Sequence, residues 1–153
     1  MTESAELPDI IHAIARNCIG LDGPLMEVLV RINQRFGYVP QEAQAIVANV
    51  LNVSQADVAG VTGFYSDFRS TPPGRLIVQL CRAEACQAAG VEDVVKDVEA
   101  ALGCAFGETR SDGAVTLEDA YCFGNCALSP AAMIDGFLVG RVDAQTISDA
   151  VKS

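Results

Sequence analysis

At 153 residues and 16.1 kDa the chain has the length of one average domain or two small ones. With half its residues hydrophobic it holds enough apolar material for a core, which excludes a disordered chain. Ten Lys and Arg against twenty Asp and Glu leave a net charge of −10, which excludes the basic footprint of a nucleic-acid binder and disfavours an anionic membrane surface.

The opening stretch MTESAELPDIIHAIARNC carries no basic segment ahead of an apolar core. No run of 18 apolar residues occurs. The expectation is a cytoplasmic protein with no membrane insertion. Leu7, Ile10, Ile11, Ile14 and Cys18 recur at spacings of three and four and predict a first helix, broken at Asp22-Gly23-Pro24. Leu25, Val28, Leu29, Ile32 and Phe36 predict a second, which Gly37 closes. Pro40 suits the first turn of a third, with Ala43, Ile46, Val47, Val50 and Leu51 on its apolar face. Ser54 with Asp57 resembles a capping box opening a fourth.

Residues 69–74, RSTPPG, read as a linker, because Pro72-Pro73-Gly74 neither continues a helix nor enters a central strand. Two domains are therefore expected, a helical one over 1–70 and a second over 75–153. In the second, Leu76, Ile77, Val78 and Leu80 form a buried-strand run. Val91, Val94, Val95, Val98, Ala101 and Leu102 form a helical stripe, with Glu92 and Lys96 expected to pair at i,i+4. Ala114–Leu117 reads as a strand after a turn at Ser111-Asp112-Gly113. The runs 131–134 and 137–142 flank Asp135-Gly136, a two-residue hairpin signal. Asp143 is placed to cap a last helix carrying Ile147, Ala150 and Val151. The order is β-α-β-β-β-α, a small mixed sheet with helices packed on it, and the fold class is α/β (α+β).

Four of the six cysteines fall in two pairs, Cys81 and Cys86 as C-x4-C and Cys122 and Cys126 as C-x3-C. Each pair lies where the chain leaves a predicted strand. Four thiolates suit two sulfide-bridged irons, two ligands per iron. They also suit a tetrahedral structural zinc, and spacing alone leaves room for thiols without metal. A C-x-x-C redox pair is absent. From Ala120 to Ile134 no side chain is charged, as the low-polarity surroundings of a cluster require, although a buried loop joining two core strands reads the same way. Cys18 and Cys104 are expected to be core residues. His12 is expected at the surface. Arg82, beside Cys81, either moderates the charge of a bound cluster or is a solvated loop residue. There is no triad, no paired-carboxylate pattern and no nucleotide-binding glycine loop.

The cysteine pattern, together with Phe36-Gly37-Tyr38-Val39-Pro40, the run 58–68 (VAGVTGFYSDF) and the run 107–118 leading to the second pair, resembles the thioredoxin-like [2Fe-2S] ferredoxin family, which includes the 24-kDa-type subunit of respiratory NADH dehydrogenase. The loop GNCALSPAAM at 124–133 is similar to that of the gamma subunit of NAD-dependent formate dehydrogenase. The resemblance implies a thioredoxin-like domain behind an N-terminal helical bundle, with one [2Fe-2S] cluster on Cys81, Cys86, Cys122 and Cys126. It implies an electron-transfer subunit with no active site of its own. Its partners would be a flavoprotein subunit carrying FMN, a further iron–sulfur cluster and the NAD site, and a large molybdopterin subunit that oxidises formate. The equivalent subunit of respiratory NADH dehydrogenase or of a bidirectional hydrogenase is the alternative within the family. A zinc-stapled interaction module is the alternative outside it.

Overall fold

The computed structural model describes residues 3–152 and divides into two compact units, Met1–Pro72 and Pro73–Ser153. The first contains α1 (Glu3–Arg16), α2 (Pro24–Phe36), α3 (Ala43–Leu51) and α4 (Gln55–Phe64). Helix α1 packs on α2 and α3, and α4 packs on the same two. Their shared core is built from the apolar stripes: Ile11 and Cys18, then Val28, Leu29 and Ile32, then Val47, then Val58, all fully buried. Each such aliphatic side chain contributes roughly 1.5–3 kcal/mol on burial. Cys18 is one of these packed residues, as expected.

Three local features decide where these helices start and stop. Gly37 takes the left-handed conformation (φ 80°) and its N–H donates to the Asn33 carbonyl. The Ser54 hydroxyl accepts from the Asp57 N–H, and the Asp57 carboxylate accepts from the Ser54 N–H, a complete capping box. Pro40 does not begin α3. It sits in the turn ahead of it, where its carbonyl accepts from the Ala43 N–H at 2.9 Å. His12 is not a surface residue either. It is half-buried, and its Nδ1 is enclosed without a hydrogen-bond partner among the described residues.

The second unit contains β1 (Leu76–Cys81), α5 (Glu84–Ala88), α6 (Val91–Leu102), β2 (Val115–Ala120), β3 (Ala131–Ile134), β4 (Phe137–Gly140) and α7 (Ala144–Lys152). The four strands form one mixed sheet in the order β2-β1-β3-β4. β1 and β2 are parallel, in register from Leu76↔Val115 to Cys81↔Ala120, while β1–β3 and β3–β4 are antiparallel. The parallel pairing follows from the crossover through α5 and α6, which returns the chain to the end of the sheet where β1 began. Val78, Leu80, Val98, Val115, Leu117, Ala132 and Ile147 form the core between sheet and helices. This is the α+β architecture with a small mixed sheet that the hydrophobic pattern predicts.

The element bounds differ from the sequence expectation in ways the pairing explains. β2 starts at Val115 and runs on to Ala120 because its ladder follows β1 as far as Cys81. β4 stops at Gly140 because Arg141 turns off the sheet (φ 54°) and gives its N–H to the Leu128 carbonyl at 2.7 Å. Helix α5 was not expected. The i,i+4 pair on α6 does not form: Lys96 meets Asp93 at 3.0 Å, and Glu92 turns to Arg82 instead. The Asp143 carboxylate accepts from the Thr146 N–H at 2.8 Å, capping α7 as expected.

Candidate metal centre

Two parallel neighbouring strands deliver the two cysteine pairs to one end of the sheet. Cys81 is the last residue of β1, and Cys122 follows two residues after the end of its partner β2. The Arg82 N–H continues the ladder onto the Ala120 carbonyl at 2.8 Å, so the two departing chains leave side by side. The first chain turns at once into α5, which buries Cys86 on its inner face. The second bends through Cys122 (φ 65°) and Gly124 (φ 78°) into a single 3₁₀ turn at Cys126–Leu128. A positive φ is uncommon for a residue other than glycine. At Cys122 it accompanies an N–H donated to the Cys81 sulfur at 3.3 Å.

The sulfurs are related in pairs. Cys122 and Cys126 stand 3.8 Å apart, sulfur to sulfur. Two thiolates on one tetrahedral metal, each bonded at about 2.3 Å, are separated by about 3.8 Å. The Cys81 and Cys86 thiols are in side-chain contact with each other, and Cys126 feels the charges of Cys122, Cys86 and Cys81. The Cys86 Sγ lies 3.5 Å from the Ser129 hydroxyl, which in turn donates to the Cys126 carbonyl at 2.9 Å. Among the described residues, no three His, Cys, Asp or Glu side chains converge tightly enough to enclose one metal ion. The donor set is four soft sulfurs, the chemistry of iron–sulfur and zinc sites alike.

The pairs differ in environment. Cys81 and Cys86 are buried, whereas Cys122 and Cys126 are exposed, as are Tyr121 and Leu128 beside them. Between the end of β2 and the start of β3, residues 121–130 thus form an uncharged, largely exposed loop, while 131–134 are β3 and enter the core. Burial pushes the Cys81 thiol up, but N–H groups of Ala83, Cys122 and Phe123 and the Cys86 thiol outweigh it, and Cys81 ionises below the usual thiol range. Those N–H groups favour a thiolate before any metal arrives. Cys126 is pushed the other way, first by its contact with Cys122 and then by the charges of the other sulfurs. A cation held among the sulfurs would offset this mutual repulsion.

Cys18 belongs to the core of the helical unit and Cys104 to the core of the second, as expected. Cys104 is buried, and burial raises its thiol further above the usual range. Arg82 is not a solvated loop residue. Its guanidinium binds Glu92 through Nε (3.1 Å) and Nη2 (2.6 Å), and Asp119 through Nη1 (3.1 Å). Reasoning from the sequence missed Glu92 and Asp119 as partners of Arg82, because those contacts arise only from tertiary packing, and it did not foresee that Ser129, within the second cysteine loop, reaches Cys86.

The family profile described as thioredoxin-like [2Fe-2S] ferredoxin matches residues 11–153. An NADH-quinone oxidoreductase subunit of Pseudomonas aeruginosa is 38% identical over 117 residues, covering 76% of this chain and 70% of that protein. The NADP-reducing hydrogenase subunit HndA of Solidesulfovibrio fructosivorans is 34% identical over 121 residues, covering 79% of this chain and 71% of that one. The fold is also that of a chain in the crystal structure of the air-oxidised NAD+-reducing [NiFe]-hydrogenase, with a TM-score of 0.67 at 23% identity. That likeness takes in 81% of this chain but only 22% of the hydrogenase chain. Of the groups that four thiolates can hold, the family selects the two-iron one. The chain belongs to the thioredoxin-like [2Fe-2S] ferredoxin family, and its cofactor is one [2Fe-2S] cluster.

Proposed function

We propose that Cys81, Cys86, Cys122 and Cys126 hold the [2Fe-2S] cluster and that the chain is an electron-transfer subunit of a cytoplasmic, multi-subunit NAD-linked oxidoreductase. The observation that carries this reading is the convergence of the two cysteine pairs at the end of the parallel β1–β2 pair, with the Cys122 N–H on the Cys81 sulfur. When bound, the cluster supplies one-electron redox chemistry and no hydride chemistry. The chain does the rest. The buried pair, Cys81 and Cys86, anchors one side of the site against the core. N–H groups aimed at Cys81 offset the negative charge that gathers there. The exposed pair, on a loop without charged side chains, leaves the opposite side open to a partner. The helical unit, assigned as a domain over 1–70 beside a ferredoxin domain over 75–153, carries Phe64 with 80% of its surface exposed and Tyr65 beside it, a second place for a partner to grip.

NAD is then reduced or oxidised on a flavin in a partner subunit. The finer reading is the gamma subunit of an NAD-dependent formate dehydrogenase, with an FMN flavoprotein and a large molybdopterin subunit as partners. It is supported by the GNCALSPAAM loop at 124–133. The relatives named for NADH-quinone oxidoreductase and for a hydrogenase favour a second reading, the equivalent subunit of one of those complexes.

The ligand assignment is tested on the purified full chain by iron and sulfide analysis and by EPR after reduction. Wild type is expected to be reddish-brown with a rhombic signal, and Cys122→Ser to lose both colour and signal. A Cys122→Ser protein with the wild-type cluster overturns the assignment. The choice of complex is tested by copurification. Formate-driven NAD reduction in the purified assembly supports the formate reading, and activity with quinone or hydrogen in its place overturns it.

A further inference from the structure

One residue ties the end of β1 to α5, to α6 and to the end of β2 ahead of the second cysteine pair, and it is not a cysteine. Arg82 follows Cys81 directly, and its N–H holds the end of β2 through the Ala120 carbonyl at 2.8 Å. Its carbonyl accepts from the Gln87 side chain at 2.9 Å, on the helix that carries Cys86. Its guanidinium forks onto Glu92 of α6 and reaches Asp119 of β2, three residues before Cys122. We propose that Arg82 is a positioning residue: the fork on Glu92 and Asp119 locks together the two chain ends that bear the cysteine pairs and sets the charge beside them. The proposal rests on the reading that these four cysteines hold the cluster.

Two features argue that position, more than fold stability, is what the fork provides. The ion pairs are partly exposed, with side chains 28%, 47% and 36% accessible for Arg82, Glu92 and Asp119, and pairs in such surroundings add little to stability. The geometry is that of a planar fork matched to a carboxylate, an arrangement that restricts direction and that lysine cannot reproduce. The triad also has a charge consequence. One cation faces two anions, so removing Arg82 adds net negative charge beside the site and removing Glu92 takes it away. Reduction adds an electron to a site that is already negative, so the two changes move the midpoint potential in opposite directions.

The test uses the full chain with its cluster, as wild type, Arg82→Met, Arg82→Lys, Glu92→Gln and Asp119→Asn, with Cys122→Ser as a separate arm. Three readouts are followed: the rate of iron release to a chelator, the midpoint potential, and amide exchange at Cys122 in the cluster-free chain. Arg82→Met is expected to release iron about ten- to a hundredfold faster, matching the range by which metal affinity falls when a ligand's outer-shell support is lost. It should also lower the potential and speed exchange at Cys122. Arg82→Lys should restore the potential but not the release rate, and Glu92→Gln and Asp119→Asn should raise the potential. If Arg82→Met does not fold, the two carboxylate variants carry the test. Potentials that stay at the wild-type value, or that move the same way in the Arg82→Met and Glu92→Gln proteins, overturn the proposal. If Cys122→Ser loses the cluster while these variants match wild type, the ligand assignment stands and this inference alone falls. If Cys122→Ser keeps its cluster, the ligand assignment falls first.

Discussion

Replacing Gly140 with alanine tests whether the second cysteine loop is held by steric fit against the sheet. Gly140 ends β4 and lies under the turn that begins at Cys126. A Cβ built there meets the Leu128 Cβ at 2.6 Å, the Asn125 Nδ2 at 2.9 Å and the Leu128 carbonyl oxygen at 2.9 Å. Non-bonded carbons rest at about 3.5–4.0 Å, so the shortfall is about 1 Å. No rotamer relieves it, because the Leu128 Cβ and carbonyl are fixed by the backbone. The turn is pinned as well, since the Arg141 N–H donates to that same carbonyl at 2.7 Å. Either β4 bends or the 126–128 turn lifts and takes Cys126 with it. Overpacking of this kind costs about 1–3 kcal/mol. In a unit of about 80 residues that is a fall of roughly 5–20 °C in Tm. Thermal unfolding of the full chain followed by circular dichroism reads the stability, and iron per chain reads the ligand geometry. Both are expected to fall in Gly140→Ala. A Gly140→Ala protein that melts with wild type and binds iron at the wild-type ratio refutes the reasoning, because the turn would then have been free to move.

The opposite sign is expected at Gly63, inside α4, where an added Cβ meets nothing within 4 Å: Gly63→Ala should stabilise the helical unit by about 0.5–1 kcal/mol, read as a higher urea midpoint for that unit. Acid should weaken the second unit through Asp112, whose carboxyl is pushed down from 3.8 to about 2, first by the two Arg110 hydrogen bonds and then by the Ala114 N–H. Its folded pKa lies below its unfolded one, so the contribution is complete above about pH 4 and fades as pH falls toward 2. The difference in urea midpoint between wild type and Asp112→Asn in the cluster-free chain should therefore shrink across that window, and a constant difference from pH 5 to pH 2 would contradict the assignment.

Most of the elements are written in local patterns. The stripe from Leu25 to Phe36, the capping box at Ser54 and the Asp135-Gly136 turn each act within a few residues, so periodicity and side-chain chemistry reveal them before any packing is known. The cysteine pairs are legible for the same reason, because ligand spacing is a local property. What the pattern left open was the partner of each charged group. Glu92 has Lys96 one turn away, yet it reaches back across the crossover to Arg82, a contact that exists only because α6 lies beside the end of β1. His12 sits off the apolar face in the helical pattern and is nevertheless half-buried, since neighbouring helices cover more of α1 than its stripe alone implies.

The amino-acid order by itself fixed the four sulfur ligands as candidates, the helix stripes and the turn signals, since each depends on residues close together along the chain. Only the tertiary structure decided that β1 and β2 are parallel neighbours in register from Leu76 to Cys81, that Cys81 and Cys86 face the core while Cys122 and Cys126 face outward, and that Arg82 spans both chain ends. Those features depend on contacts between residues roughly forty positions apart, and the free energy that selects them comes from burying Val78, Leu80, Val115 and Leu117 together in one sheet.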